Sequence, residues 1–480
     1  MGGPLSFLLL VASSTVFPSA SLAMSICHVH LNHAGDSPMP RAVVRAVVEH
    51  TELEAQVGGY RAAEIAADRL DQVYVSLSRL IGADDRNPRD EIALVESATV
   101  AWTRAFYSMM ETKEKELLRT SSSRELVILV SEVEYAANVV AAVRFARDHS
   151  IINGRLKWKV LRMPSSVAGG RKTGQVDLQS FKSMLDGEFP LVESSSSTTD
   201  VTYLDPTSIA IVCLTHIPTN SGVVNPAIEI GELIRGYNIR HAAPDGELPL
   251  LYLLDACQSV GQMDLDVEKL KCHGLCATGR KYLRGPRGTG FLFVRYEIAN
   301  VLEPSHIDHA AAPVKQVISN EDSLVGLDGE QQYQRGARRF EFWESNIATR
   351  LGLGLAVDHA LSIGMVTIER QCRQRGRRLI EELNAVDGVE IHHANSSDCG
   401  IVTFVMAGVD ALEVKRRMIE GFPIGDKLHC FYVSTCPGTS TPLDGVEGNI
   451  VRASCSYFNT DLELRHFYEC LKLIADESRD

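Results

Sequence analysis

Five consecutive apolar residues, Leu250-Leu251-Tyr252-Leu253-Leu254, run directly into an acid, Asp255. A run that is apolar at every position, not at alternate ones, fits a strand covered on both faces. Such strands belong to mostly parallel sheets flanked by helices. Five further runs of this kind lie at 91–96, 126–131, 156–161, 209–215 and 289–294, with helical periodicity between them. The alternation predicts an α/β fold with a mostly parallel sheet.

The spacing of Val43, Val44, Val47, Val48 and Leu53 predicts a helix starting at Pro40 and broken by Gly58-Gly59. A second helix is predicted over 61–81, with Ile65, Leu70, Val73, Leu77 and Leu80 on one side. A long helix from Ile347, carrying Leu351, Leu355, Val357, His359 and Leu361, opens a smaller α/β region ending near Ala475. Two stretches interrupt the pattern. Residues 193–200 are a Ser/Thr-rich loop, and 304–335 lack periodicity and read as a connection between two domains.

Composition excludes several classes of function. The net charge of −13 disfavours a nucleic-acid binder, which needs a basic surface to displace counterions. An apolar fraction of 45% excludes a chain disordered throughout. Beyond the N-terminus no uncharged apolar run reaches the ~18 residues that a membrane helix needs, so no polytopic membrane protein is expected.

Residues 1–23 carry no charge at all. Leu8-Leu9-Leu10-Val11 forms an apolar centre and Ser21-Leu22-Ala23 offers small residues for cleavage. No Lys or Arg precedes that centre, and Met24 provides an alternative start. Gly2 with Ser6 fits a loose myristoylation pattern. A cytoplasmic protein is expected, with secretion or organelle import by 1–23 left open. The eleven cysteines are scattered and odd in number, in a chain too long to need a disulfide scaffold. Cys272-His273-Gly274-Leu275-Cys276 has a zinc-like spacing but no second ligand pair, so buried free thiols and no metal are expected.

In open α/β sheets, ligands bind beyond the carboxyl ends of the strands. An acid there needs a protonated partner, although Asp255 could equally cap a following turn. Further along, Ala277-Thr278-Gly279-Arg280-Lys281 is followed by Gly285-Pro286-Arg287-Gly288-Thr289-Gly290. A lysine amine beside a hydroxyl, an arginine and flexible glycines suits a phosphate-bearing carbonyl cofactor, which would form a Schiff base with the amine. A basic surface loop is the plainer reading. Ser97-Ala98-Thr99, at another strand-to-helix turn, could bind an anion or simply cap the helix. Tyr135, at the strand end after 126–131, could stack on a planar ring.

Together these residues resemble the class V aminotransferase family of pyridoxal-phosphate enzymes, which holds cysteine desulfurases and selenocysteine lyases. The resemblance runs from Val29 to Asp461. It rests most on Asp255-Ala-Cys-Gln258 and on Lys281 within its Gly/Arg-rich run. Leu31-Asn32-His33-Ala34-Gly35, Glu134-Tyr135-Ala136-Ala137-Asn138, Thr215-His216-Ile217-Pro218-Thr219-Asn220 and Val451-Arg452-Ala453-Ser454 add to it. Glu54 to Tyr60 and the Arg-Lys-Tyr-Leu run look most like a narrower branch with hercynylcysteine sulfoxide lyase and isopenicillin-N-epimerase-like proteins.

The resemblance implies fold type I of the pyridoxal-phosphate transferases: a large domain with a mostly parallel seven-stranded sheet and a smaller C-terminal α/β domain. The implied division is a leader at 1–23, an N-terminal segment at 24–60 packing with the small domain, a large domain at 61–330 and a small one at 331–480. The cofactor implied is pyridoxal 5′-phosphate. Lys281 would be the catalytic lysine, Asp255 would hold the ring nitrogen protonated, Gln258 would bond the phenolic oxygen and Tyr135 would stack on the ring. Ala98, Thr99, Thr278 and Arg280 would hold the phosphate. Asn32, Thr219, Asn220 and Arg452 would bind a small amino-acid substrate, with Arg452 gripping its carboxylate.

Cys436, 16 residues before Arg452, stands near where some desulfurases carry a sulfur acceptor, yet its surroundings do not match their cysteine loop. The expected reaction is therefore C–S β-elimination. Desulfuration, transamination and epimerisation are the alternatives, and a non-catalytic binding module is disfavoured by Lys281 and Asp255. A homodimer is implied by the resemblance alone.

Overall fold

A computed structural model of the chain describes residues 25–120, 124–191, 201–242, 248–312, 319–320, 323–324, 333–392 and 398–479. The leader at 1–23, the loop at 193–200 and much of 304–335 lie outside the described residues.

The N-terminal segment gives β1 (Ser25–His30) and the helices α1 (Arg41–Val57), α2 (Gly59–Ile65) and α3 (Ala67–Ile81). The large sheet is built from β2 (Ile92–Val95), β3 (Arg124–Ser131), β4 (Leu156–Met163), β5 (Ile209–Thr215), β6 (Leu251–Asp255), β7 (Gly274–Thr278) and β8 (Gly290–Val294). Between these strands lie α4 (Ala98–Thr120), α5 (Ala136–Asn153) and α6 (Ala227–Arg240). The chain continues through α7 (Ile347–Ile363) and α8 (Met365–Asn384) into β9 (Val389–His392), β10 (Ile401–Met406) and α9 (Ala411–Glu420). It finishes with β11 (Phe422–Ile424), β12 (Lys427–Tyr432), β13 (Ser434–Pro437), β14 (Asn449–Ser454) and α10 (Asp461–Glu477).

The large sheet has seven strands in the order β2-β8-β7-β6-β5-β3-β4. Only β8 runs against its neighbours. The expected mostly parallel seven-stranded sheet is therefore present, and its apolar runs are covered on both faces. Val212, Leu214, Tyr252 and Leu254 point into one core with α3 and α7. Ile211, Cys213, Leu251 and Leu253 point into another, closed by Trp102 and Phe106 of α4. Each of the aliphatic side chains among them contributes about 1.5–3 kcal/mol on burial. Strand β7 contains Cys276 of the zinc-like spacing. There His273 Nδ1 accepts the Tyr252 backbone N–H at 3.0 Å, a structural bond, and no ligand cluster for a metal occurs among the described residues.

The helix predicted over 61–81 is two helices. The break falls at Ala66, whose backbone leaves the helical region (φ −92°, ψ 5°), and no glycine or proline marks it. Ile65 is consequently exposed, while Val73, Leu77 and Leu80 of α3 are buried.

A four-stranded sheet, β9-β10-β14-β13, forms the C-terminal region, and β1 pairs in parallel with β12 in a three-stranded sheet beside it. Among the described residues no single helix is long and apolar enough to cross a membrane.

Candidate active site

Because β3, β5, β6 and β7 run in parallel, their carboxyl ends share one edge of the large sheet. A cleft there is lined by Ala98, Thr99, Tyr135, Thr219, Asp255, Gln258, Thr278, Arg280 and Lys281, all named from the sequence. A larger open groove of about 980 Å³ along α8, with Arg370 and Arg373, contains none of these residues.

Asp255 ends β6 at 5% exposure. Its Oδ1 accepts the Cys257 backbone N–H at 2.9 Å and its Oδ2 accepts Asn138 Nδ2 at 3.1 Å. The capping alternative is thus partly realised, since the same carboxylate closes the turn after the strand. Lys281 stands opposite, and burial pushes its amine below the usual lysine range, with Arg280 and Arg452 adding to the effect. A lysine held this way is more readily neutral, the form a nucleophilic or proton-accepting amine needs.

The anion end is built from backbone. Ser97 Oγ accepts the Val100 N–H at 3.2 Å and caps α4, which leaves Ala98 and Thr99 at the helix start facing the cleft. Gly290 crosses beneath them. A Cβ there would lie 2.7 Å from Ala277 O and 2.8 Å from Ser97 C, so only glycine permits this approach. Thr278 Oγ1 donates to Thr289 O at 3.2 Å, and the Arg280 guanidinium donates to Gly35 O. Tyr135 is 39% exposed at the mouth, directly before α5.

The second group of candidates comes from outside the large sheet. Arg452, on β14 and 5% exposed, donates to Thr219 Oγ1 at 2.7 Å, to Thr219 O at 3.2 Å and to Asn32 Oδ1 at 3.1 Å. Gln258 Nε2 donates to Ala34 O at 3.0 Å and to Thr219 Oγ1 at 3.3 Å, so the Thr219 hydroxyl joins the two groups. Cys436 Sγ lies 3.8 Å from Thr219 O, the carbonyl that also receives Arg452. Burial pushes its thiol up, while Arg452 and Lys281 draw it back down. Asn220 points elsewhere: its Nδ2 donates to Pro437 O at 3.0 Å and Thr441 Oγ1 at 2.9 Å, anchoring the segment after β13.

The cleft also contains Asn138, Thr215 and Cys257, which stand within the family-like motifs but have no role predicted from sequence. A signal existed for Asn138, which falls one turn into the helix that Tyr135 precedes. Burial, then Asp255, pushes the Cys257 thiol up to about 12, so it remains protonated.

A ring carrying a phosphate and a carbonyl fits these residues. Gln258 Oε1 is buried without a partner, an orphan that a ring substituent would satisfy. A lysine amine, a buried carboxylate and a helix start with a hydroxyl face one cleft. Fold and site together define a pyridoxal-phosphate enzyme of fold type I.

Comparison with known proteins places the chain further. The family description Aminotransferase class-V matches residues 189–467, more than half of the chain, which belongs to that family and has pyridoxal 5′-phosphate as its cofactor. A protein from Methanothermobacter thermautotrophicus described as a probable cysteine desulfurase is 26% identical over 456 residues, covering 93% of this chain and 95% of the relative. Among solved structures, the apo cysteine desulfurase from Thermococcus onnurineus has a TM-score of 0.69 at 20% identity, covering 94% of this chain and 95% of its own. The cystine C–S lyase C-DES, in complex with cysteine persulfide, has a TM-score of 0.66 at 17% identity, covering 92% and 97%. At these identities the structural matches establish the fold.

Proposed function

We propose that this enzyme is a cysteine desulfurase, which transfers the sulfur of cysteine or a close relative to Cys436 and releases alanine. The carrying observation is the position of that thiol, 3.8 Å from the Thr219 carbonyl that also receives Arg452. A purely eliminating lyase, the reaction expected from sequence, has no use for a thiol there. The names of the relatives favour the same reading.

Pyridoxal phosphate, when bound, supplies the electron sink that lets the substrate Cα give up its proton. The remaining roles fall to side chains. Lys281 would carry the cofactor and move the Cα proton with its amine. Asp255 would hold the ring nitrogen, Gln258 would bond the phenolic oxygen and Tyr135 would stack on the ring. Ala98, Thr99, Thr278 and Arg280 would hold the phosphate. Arg452, released from Asn32, takes the substrate carboxylate as a two-pronged donor, with Thr219 holding it in line. Asn220 acts at one remove, by fixing the segment that follows Cys436.

In the transfer, Cys436 loses its proton and its sulfur bonds to the substrate sulfur. The C–S bond breaks, its electron pair stays with the substrate carbon, and that carbon takes a proton to become alanine. The product on the enzyme is a Cys436 persulfide.

The test is to incubate the purified protein with cysteine and to assay alanine, pyruvate and a persulfide on Cys436. Alanine and persulfide that vanish together in Cys436→Ser are expected. Pyruvate and free sulfide undiminished in that variant would establish elimination instead, a reading favoured by the thiol's 4% exposure.

A homodimer is part of this proposal, supported by the exposed apolar residues Val44, Val48, Val57 and Tyr60 along α1 and α2. So is the domain division. The pairing of β1 with β12 supports joining 24–60 to the small domain at 331–480.

A further inference from the structure

Behind Asp255 lies a second carboxylate, outside the roles assigned so far. Glu134 is fully buried in the turn between β3 and α5. Its Oε2 accepts Ser131 Oγ at 2.8 Å and the Thr215 backbone N–H at 2.9 Å. Its Oε1 accepts Thr215 Oγ1 at 2.6 Å and Asn138 Nδ2 at 2.8 Å. Two of these partners, the Thr215 N–H and the Asn138 amide nitrogen, can only donate, and the two hydroxyls complete a set that suits an anion. Burial and the neighbouring Asp255 charge push the other way, raising the Glu134 pKa.

The same Asn138 nitrogen also donates to Asp255 Oδ2, at 3.1 Å. Two buried carboxylates thus share one amide. Removed from water and so close together, they repel each other, and the arrangement is favourable only with a cation to face. Lys281 approaches from the cleft side, and the remaining place beside Asp255 is the cleft itself.

We propose that Glu134 and Asn138 are positioning residues for the nitrogen end of the cofactor ring. Glu134 orients the Asn138 amide, Asn138 holds the Asp255 carboxylate toward the cleft, and the two anions together favour a protonated heteroaromatic nitrogen. This rests on the pyridoxal-phosphate reading of the site. Glutamine at 134 would present an NH₂ group to the Thr215 N–H or to the Asn138 amide nitrogen, both obligate donors, and so loosen the hold on Asn138 and through it on Asp255.

A double-mutant cycle on cofactor affinity tests the chain of contacts without measuring turnover. Glu134→Gln, Asp255→Asn and the double variant are prepared as apoproteins, checked for a native unfolding midpoint and titrated with pyridoxal phosphate. Glu134→Gln is expected to weaken binding about tenfold, the size of effect outer partners have at metal centres. In the Asp255→Asn background the same change is expected to cost less than about threefold. Asn138→Ala, which cuts the link and leaves Glu134 in place, is expected to behave alike and serves if Glu134→Gln does not fold. Equal losses in both backgrounds would overturn the inference, because Glu134 would then only pin the turn to β5. Unchanged affinity in Glu134→Gln would overturn it too. Wild-type protein that binds no pyridoxal phosphate would instead overturn the reading of the site.

Discussion

The two halves of the proposed active site, one for cofactor and one for substrate, are made in different ways. The cofactor half is the carboxyl edge of one sheet: Asp255, Thr278 and Lys281 follow strands that hydrogen-bond to each other, and α4 starts where β2 ends. The substrate half is assembled from Asn32 near the N-terminus, Thr219 after β5, and Cys436 and Arg452 on the C-terminal sheet. It is also closed on itself, since Arg452 bonds Thr219 and Asn32, and in its proposed role a substrate carboxylate would replace at least the latter. A rigid edge presents a cofactor with little rearrangement, whereas a bridged arginine discriminates through the bonds that an incoming ligand must replace.

The largest effect is expected in the cofactor half. Lys281→Ala removes the only lysine among the described residues that line the cleft and is expected to lower alanine formation about 10²–10⁴-fold, the range for losing an acid–base group. The visible absorbance of lysine-bound cofactor should disappear with it. Absorbance that survives would take the lysine out of this half.

Acid should also attack this half. His216, which follows β5 and donates its backbone N–H to Asp255 O, is buried, and burial pushes it down to about 4. His273, ahead of β7, is likewise lowered to about 4, first by burial and then by Arg295. A histidine whose folded pKa lies below its unfolded value binds its proton preferentially in the unfolded chain. Its contribution is therefore complete above about pH 6.5 and is lost as pH falls toward 4. For His216 a shift of this size corresponds to about 3 kcal/mol. Urea midpoints should be level from pH 8 to 7 and fall steeply between pH 6.5 and 4. His216→Asn should flatten part of that fall; an unchanged slope would mean that the histidine is not held neutral.

The same contrast explains what the sequence made legible. Runs that are apolar at every position specify strands buried on both faces, and the predicted 209–215 is β5 residue for residue, because nothing else accommodates seven buried apolar or small side chains. The cofactor candidates follow those strand ends directly, so a local pattern located them. Asn220 shows the limit. It adjoins Thr219 in sequence, but its amide turns to Pro437 and Thr441, a long-range packing choice that no local signal encodes. The contact of Cys436 with Thr219 likewise follows from the place that β13, paired with β14, gives the thiol, which its spacing to Arg452 does not indicate. The break at Ala66 was invisible because alanine is a strong helix former and the helix ends there without a breaker.

Two substitutions in the substrate half should sharpen the division. Arg452→Ala removes charge-assisted bonds worth about 1.5–3 kcal/mol, so KM should rise roughly 10–100-fold while cofactor affinity stays unchanged. Loss of cofactor would place Arg452 in the other half. Thr219→Val is a smaller and more pointed change. It keeps the backbone carbonyl that receives Arg452 and Cys436 but deletes the hydroxyl shared by Arg452 at 2.7 Å and Gln258 at 3.3 Å. The shorter of those contacts goes to the arginine, so the loss, about 1 kcal/mol, should appear as a few-fold rise in KM at constant cofactor affinity. If cofactor affinity falls and KM does not, the hydroxyl serves Gln258, and the boundary between the halves runs on the other side of Thr219.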